Sequence, residues 1–127
     1  MDAAQKEAAL IPPRSHAILD AASAVGLVLL PPLLTRTRPF IRRRLAAAGA
    51  VVAGYSLMTR YDRNQSRPLS MSTHRAIDMA QGAAFCIAAG RVDDVHLRRG
   101  MVAYGLFSLA AAALTEDEPR RRSAFRP

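Results

Sequence analysis

His16 and Asp20 stand one helical turn apart, and so do His74 and Asp78, fifty-eight residues further on. Residues four apart share a helix face, so each H-x-x-x-D frame presents an imidazole and a carboxylate together. Such groups can ligate a divalent metal ion, and they can pass a proton. They also suit a structural pair, because an Asp in the first turns of a helix is favoured by the helix dipole and by a neighbouring His. The structural role is the expected one, with a membrane transporter, metal binding or a proton relay, and a contact with another protein, as alternatives. No cofactor or bound metal is expected. The chain has no Gly-rich phosphate loop, no paired-Cys zinc spacing and no nucleophile elbow, so no catalytic residue is assigned and no enzyme activity is expected.

Each frame opens an uncharged, Ala-rich run, and each run is followed by another. The four runs are Ala21 to Thr35, Leu45 to Thr59, Met79 to Gly90 and Met101 to Thr115. Alanine has the best intrinsic helix propensity, so four helices in an all-α fold are expected. The first should run from His16 to about Leu30, where Pro31 and Pro32 kink or stop it. Arg36 to Arg44 reads as a connector, and so does Arg91 to Arg99. Ser70 or Ser72 is placed to cap the third helix. The second helices of the two halves also align, at an offset of fifty-six: Arg43 with Arg99, Gly49 with Gly105, Thr59 with Thr115. Self-similarity at a fixed period marks a repeat. The division is a polar leader at 1–11, a first helix-hairpin repeat at 12–62, a linker at 63–69, a second repeat at 70–118 and a basic tail at 119–127. The leader is expected to fray.

The formal net charge of +8 comes from 18 basic residues, while half of all residues are apolar and only 6% aromatic. The charges sit almost wholly between the runs. A soluble bundle needs charge recurring along each outer face, and none interrupts these runs. A run of about 15 residues spans only roughly 22 Å against about 30 Å of hydrocarbon, but flanking arginines can snorkel and extend it. Small residues recur every four positions at Ala46, Ala50 and Gly54, and again at Gly82, Cys86 and Gly90, a spacing that lets membrane helices approach closely. A four-helix transmembrane bundle of two parallel hairpin repeats is therefore expected over a soluble basic bundle that binds anionic partners. Two helices per half give both halves the same polarity, so His16 and His74 should lie at the same end. Arg42, Arg43, Arg44, Arg98, Arg99, Arg120, Arg121 and Arg122 are expected at anionic lipid headgroups. No nucleic-acid partner is expected, since no aromatic residues are interleaved for stacking. A membrane-protein partner or a second copy of the chain is compatible with this reading. No cleavable leader is expected, because the first fifteen residues lack an apolar core behind positive charge. The Lys and Arg balance leans towards cytoplasmic termini.

The paired frames, together with Leu114-Thr115-Glu116-Asp117 and Met58-Thr59-Arg60-Tyr61-Asp62 at the ends of the second helices, resemble the SPW-repeat family of small bacterial integral membrane proteins. The resemblance covers about residues 12 to 118. It implies two membrane helices per repeat and a bacterial inner-membrane location, and brings no biochemical activity. The Ser-Pro-Trp tripeptide itself is absent: Leu30-Pro31-Pro32 and Ala88-Ala89-Gly90 stand in its place.

Six further positions complete the reading. Gln81 should hydrogen-bond across the bundle, His96 should be solvated, and Tyr61 should anchor at the membrane interface. Tyr55 and Tyr104 should serve as packing residues. The single Cys86 excludes an internal disulfide.

Overall fold

The computed structural model describes residues 10–34 and 38–117. Among these the protein is all-α, with α1 (Pro13–Leu34), α2 (Pro39–Met58), α3 (Met71–Ala89) and α4 (Val95–Leu114). Their beginnings follow local chemistry. Pro13 and Pro39 open α1 and α2, where a missing N–H costs nothing. Ser70 caps α3 by accepting from the Thr73 N–H at 3.2 Å, and Asp94 caps α4 by accepting from Leu97 N–H at 2.7 Å. Both α2 and α4 end on a threonine with extended backbone, φ −87° and ψ 140° at Thr59, φ −86° and ψ 138° at Thr115.

The helices are longer than the uncharged runs alone imply. They hold 22, 20, 19 and 20 residues, or about 29–33 Å of rise. The extra length comes from two places. Pro31 and Pro32 lie inside α1 rather than ending it, because proline's fixed φ is itself helical and only the last turn follows. Phe40 and Arg42 to Arg44, expected in a connector, form the first two turns of α2. Val95 to Arg99 likewise open α4.

Within each half the two helices pack as a hairpin, α1 on α2 and α3 on α4. Glycines set the approach. A Cβ on Gly49 would meet the Ala24 carbonyl oxygen at 2.7 Å. One on Gly105 would meet Cys86 Sγ at 2.5 Å and the Gly82 oxygen at 2.6 Å. The expected stripe Ala46, Ala50, Gly54 does not make this contact. Ala50 and Gly54 face outward, and nothing lies within 4 Å of a Cβ on Gly54. The contacting face of α2 is Leu45, Gly49 and Val52, because larger apolar neighbours decide which side is buried. In the other stripe Gly82 is buried and Cys86 half-buried, while Gly90 caps α3 and is exposed.

The halves meet at one end. Ile11 pairs with Thr115 in a short parallel bridge, and Thr59 pairs with Leu69 in another. The leader's last residues are therefore held rather than frayed: Leu10 and Ile11 donate to the Leu114 carbonyl at 2.9 and 3.0 Å, and Glu116 N–H donates to Ile11 at 3.1 Å. At the second bridge Leu69 N–H donates to Met58 at 3.0 Å and Arg60 N–H to Leu69 at 2.9 Å.

The outer flanks are apolar. Ile18, Val25, Leu29 and Leu33 on α1, Val51 and Leu57 on α2, Met79 and Ile87 on α3, and Val102 and Leu106 on α4 are all exposed. Among the described residues one helix, over Pro13–Leu33, is long and apolar enough to cross a membrane by length and composition.

Candidate functional site: a buried His–Asp quartet

His16 and Asp20 lie on the first two turns of α1, His74 and Asp78 on the first two of α3. The meeting of the halves brings all four into one cluster, with the imidazole centroids 5.1 Å apart and the rings edge to face. None is more than 5% exposed. The expected partnership within each helix is only part of the geometry. His16 Nε2 stands 2.8 Å from Asp78 Oδ2 in the other half and 3.2 Å from Asp20 Oδ1 in its own. His74 Nε2 stands 3.1 Å from Asp20 Oδ2 and 3.2 Å from Asp78 Oδ2. Each imidazole thus faces both carboxylates, and each carboxylate both imidazoles.

The ring nitrogens turned away from the cluster are held by the threonines that end α2 and α4. His16 Nδ1 is 2.6 Å from Thr115 Oγ1, and His74 Nδ1 is 2.7 Å from Thr59 Oγ1. Each of these hydroxyls gives its one proton to the carbonyl four residues back, Ala111 at 2.6 Å and Tyr55 at 2.7 Å. With that proton committed, the hydroxyl can only accept, so each imidazole carries its proton on Nδ1. The choice of tautomer follows from two threonines at matching places in the halves.

Two tyrosines complete the cluster. Tyr55 donates to Asp78 Oδ1 and Tyr61 to Asp20 Oδ2, each at 2.5 Å. Neither plays the part expected of it. Tyr61 is buried, 6% exposed, rather than at an interface, and Tyr55 is a hydrogen-bond donor as well as a packing residue. Burial, with the Asp20 carboxylate beside it, pushes the Tyr61 phenol above its ordinary value, so it remains a donor at any physiological pH. Tyr55→Phe and Tyr61→Phe are each expected to cost about 1.5–3 kcal/mol, as for other hydrogen bonds to a charged acceptor. Thermal unfolding of the two variants beside the wild type measures this.

Around the quartet, ion pairs tie the loops down. Arg14 pairs with Asp62 and holds that carboxyl below the usual carboxylate range. Arg75 pairs with Asp117 and donates from Nε to the Ala112 carbonyl at 2.6 Å. Ser108 donates to the Asp78 carbonyl at 2.9 Å, and Gln81 donates to Tyr104 at 2.7 Å across the α3–α4 hairpin, as expected for Gln81. Tyr104 is therefore an acceptor as well as a packing residue.

The space beside the quartet is small. A void of about 10 Å³ touches His16, Asp20 and Asp78, close to the least that holds one water. A larger cavity of about 620 Å³ lies between α1 and α4, lined mainly by apolar residues including Leu27, Leu30, Met101 and Phe107. His96, at its rim, is exposed. Arg42, Arg43, Arg44, Arg98 and Arg99 are also exposed, on the first turns of α2 and α4 at the end away from the quartet. Arg120, Arg121 and Arg122 lie outside the described residues.

Comparison with protein families, curated proteins and solved structures returned no match.

Proposed function

We propose that this chain is an integral membrane protein of four helices, built from two parallel helix-hairpin repeats of the SPW-repeat kind. Its role is structural or in protein interaction, and the His–Asp quartet is the lock between the halves. The observation that carries this reading is where charge stands on the helices. Beyond the first turns of α1 to α4 the exposed side chains are uncharged. Among the described residues, the only carboxylates within α1 to α4 are Asp20 and Asp78, which are buried and face two imidazoles. A helix set in water with such flanks is unfavourable, while ionisable groups in a membrane turn inward and pair.

Three other features support it. Helices of 19 to 22 residues have the length of a bilayer crossing, though among the described helices α1 alone also meets the requirement in apolar composition. Arg42 to Arg44 and Arg98 to Arg99 stand at helix N-termini, where the dipole disfavours cations. Anionic headgroups supply the compensating charge there. The two bridges and the two His–Thr hydrogen bonds occupy matching positions of the two halves, which favours duplication of one hairpin. The location that follows is a bacterial inner membrane with cytoplasmic termini. A transport role finds less support, because the quartet borders space for about one water.

Carbonate washing of membranes from an expressing strain tests the reading. The protein is expected to stay in the pellet and to leave it only in detergent. Release into the wash would mean a soluble bundle, and the lipid-facing assignments would fall with it.

A further inference from the structure

We infer that the quartet is a binding site for one divalent transition-metal ion of the zinc class, held by His16 Nε2, His74 Nε2 and one oxygen each of Asp20 and Asp78. This extends the reading of the quartet as the junction between the halves, and it does not depend on whether the helices lie in lipid.

The argument begins with the protons. Both imidazoles carry theirs on Nδ1, because the threonine hydroxyls behind them can only accept. With the imidazoles neutral, both Nε2 lone pairs point inward, towards two carboxylates. In that state four acceptors converge on one point, carrying two negative charges; without an ion, a proton shared between Nε2 and a carboxylate oxygen, as at the 2.8 Å His16–Asp78 contact, takes its place. A single divalent cation neutralises that charge and gives every acceptor a partner.

The geometry at His74 points the same way. Its Nε2 is fully buried and has no hydrogen-bond partner, although it lies 3.1 and 3.2 Å from two carboxylate oxygens. It sits between the carboxylates and is aligned with neither, which defeats a directional hydrogen bond but not coordination of a central ion. One ligand atom from each residue lies within 4.8 Å of all the others. The four nitrogen–oxygen edges run from 2.8 to 3.2 Å. A tetrahedral site with bonds of about 2.0–2.1 Å has edges of roughly 3.3–3.4 Å, so the close contacts must open by a few tenths of an ångström, the widest ligand separation must close, and Asp20, which turns Oδ1 to His16 and Oδ2 to His74, must offer a single oxygen to both.

The supporting contacts are those a metal centre uses. Ligating imidazoles donate their other N–H to an oxygen, and ligating carboxylates are themselves hydrogen-bonded. Here Thr115 and Thr59 serve the imidazoles, and Tyr55 and Tyr61 the carboxylates. Two imidazoles among only four ligands suit zinc-like ions rather than calcium or magnesium, which take six or more oxygens or keep several waters. Four protein ligands with space for about one water describe a structural centre rather than a catalytic one.

The test uses the full chain, purified in detergent, stripped with chelator and shown to be helical by circular dichroism. Titration with Co²⁺ is expected to give a visible d–d absorption that saturates at one ion per chain and is displaced by one Zn²⁺. Thr59→Val is expected to weaken uptake about 10–100-fold, and the Asp20→Asn, Asp78→Asn double variant to abolish it. His96→Ala, which removes the exposed imidazole near Asp93 and Asp94, is expected to leave uptake unchanged. A stripped, helical wild-type protein that takes up neither ion would overturn the proposal, whatever the variants do. Uptake lost in His96→Ala would overturn it equally, by moving the site to the surface. If no ion binds while His16 and Asp78 still couple energetically, the junction stands and protons rather than a metal fill it.

Discussion

Asp78→Ala is expected to lower folding stability by about 3–5 kcal/mol, the cost typical of removing one member of a buried group of paired charges. Asp78 makes the shortest carboxylate–imidazole contact of the quartet. Its Oδ2 lies 2.8 Å from His16 and 3.2 Å from His74, its Oδ1 accepts from Tyr55 at 2.5 Å, and its side chain is almost wholly buried. Truncation leaves Tyr55 without its acceptor, takes from His16 its nearest oxygen, and opens a void where the carboxyl stood. No rearrangement is at hand to repair this, because the neighbouring space is about 10 Å³. Unfolding followed by circular dichroism in a mild detergent measures the loss. Asp62→Ala, which removes the solvent-accessible Arg14–Asp62 ion pair, is the control and is expected to unfold close to the wild type.

The second large effect concerns glycine, and its sign differs between two sites. Gly105→Ala is expected to destabilise by about 2 kcal/mol or more, because an added methyl meets the Gly82 carbonyl oxygen at 2.6 Å and Cys86 Sγ at 2.5 Å. A backbone oxygen cannot step aside, so α3 and α4 must separate along the contact. Gly54→Ala is expected to do the opposite and stabilise by about 0.5–1 kcal/mol. Its Cβ meets nothing within 4 Å, and alanine restricts the unfolded chain more than glycine does. Both variants change one methyl group in a helix. A common sign for the two would contradict the packing of the hairpins described here.

The echo of H-x-x-x-D across the chain made the quartet legible. Two identical frames at the heads of two helices place four ionisable groups where equal halves can meet. The sequence does not say which carboxylate each histidine prefers, since spacing along one helix speaks only for that helix. The closest contact, His16 to Asp78, crosses between the halves. Thr59 and Thr115 stood out as matching positions without their partners being visible, and a threonine repeated at both helix ends was the available clue to the imidazoles' other nitrogen. Tyr55 and Tyr61 gave no such signal. Their counterparts fifty-six residues on are Ala111 and Asp117, so the two halves complete the quartet asymmetrically.

Helix faces were harder to read than helix existence. A small residue every fourth position describes a stripe but not its direction, and in α2 the neighbouring Leu45, Val52 and Tyr55 turn the other side inward. Gly49 and Gly105, matched between the halves, carry the close approach instead. Pro31 and Pro32 misled for a related reason. Each proline lacks the N–H that would bond the carbonyl four residues back, yet α1 has only Leu33 and Leu34 to add beyond them.

The central claim, that the two halves are joined through the quartet, is tested most directly by a double-mutant cycle between His16 and Asp78. These residues sit on different hairpins and touch only if the halves meet as described. Unfolding free energies of His16→Ala, Asp78→Ala and the double variant are expected to depart from additivity by about 1–3 kcal/mol, the range for directly contacting buried groups. Effects that add to within about 0.5 kcal/mol, the behaviour of independent sites, would contradict the account.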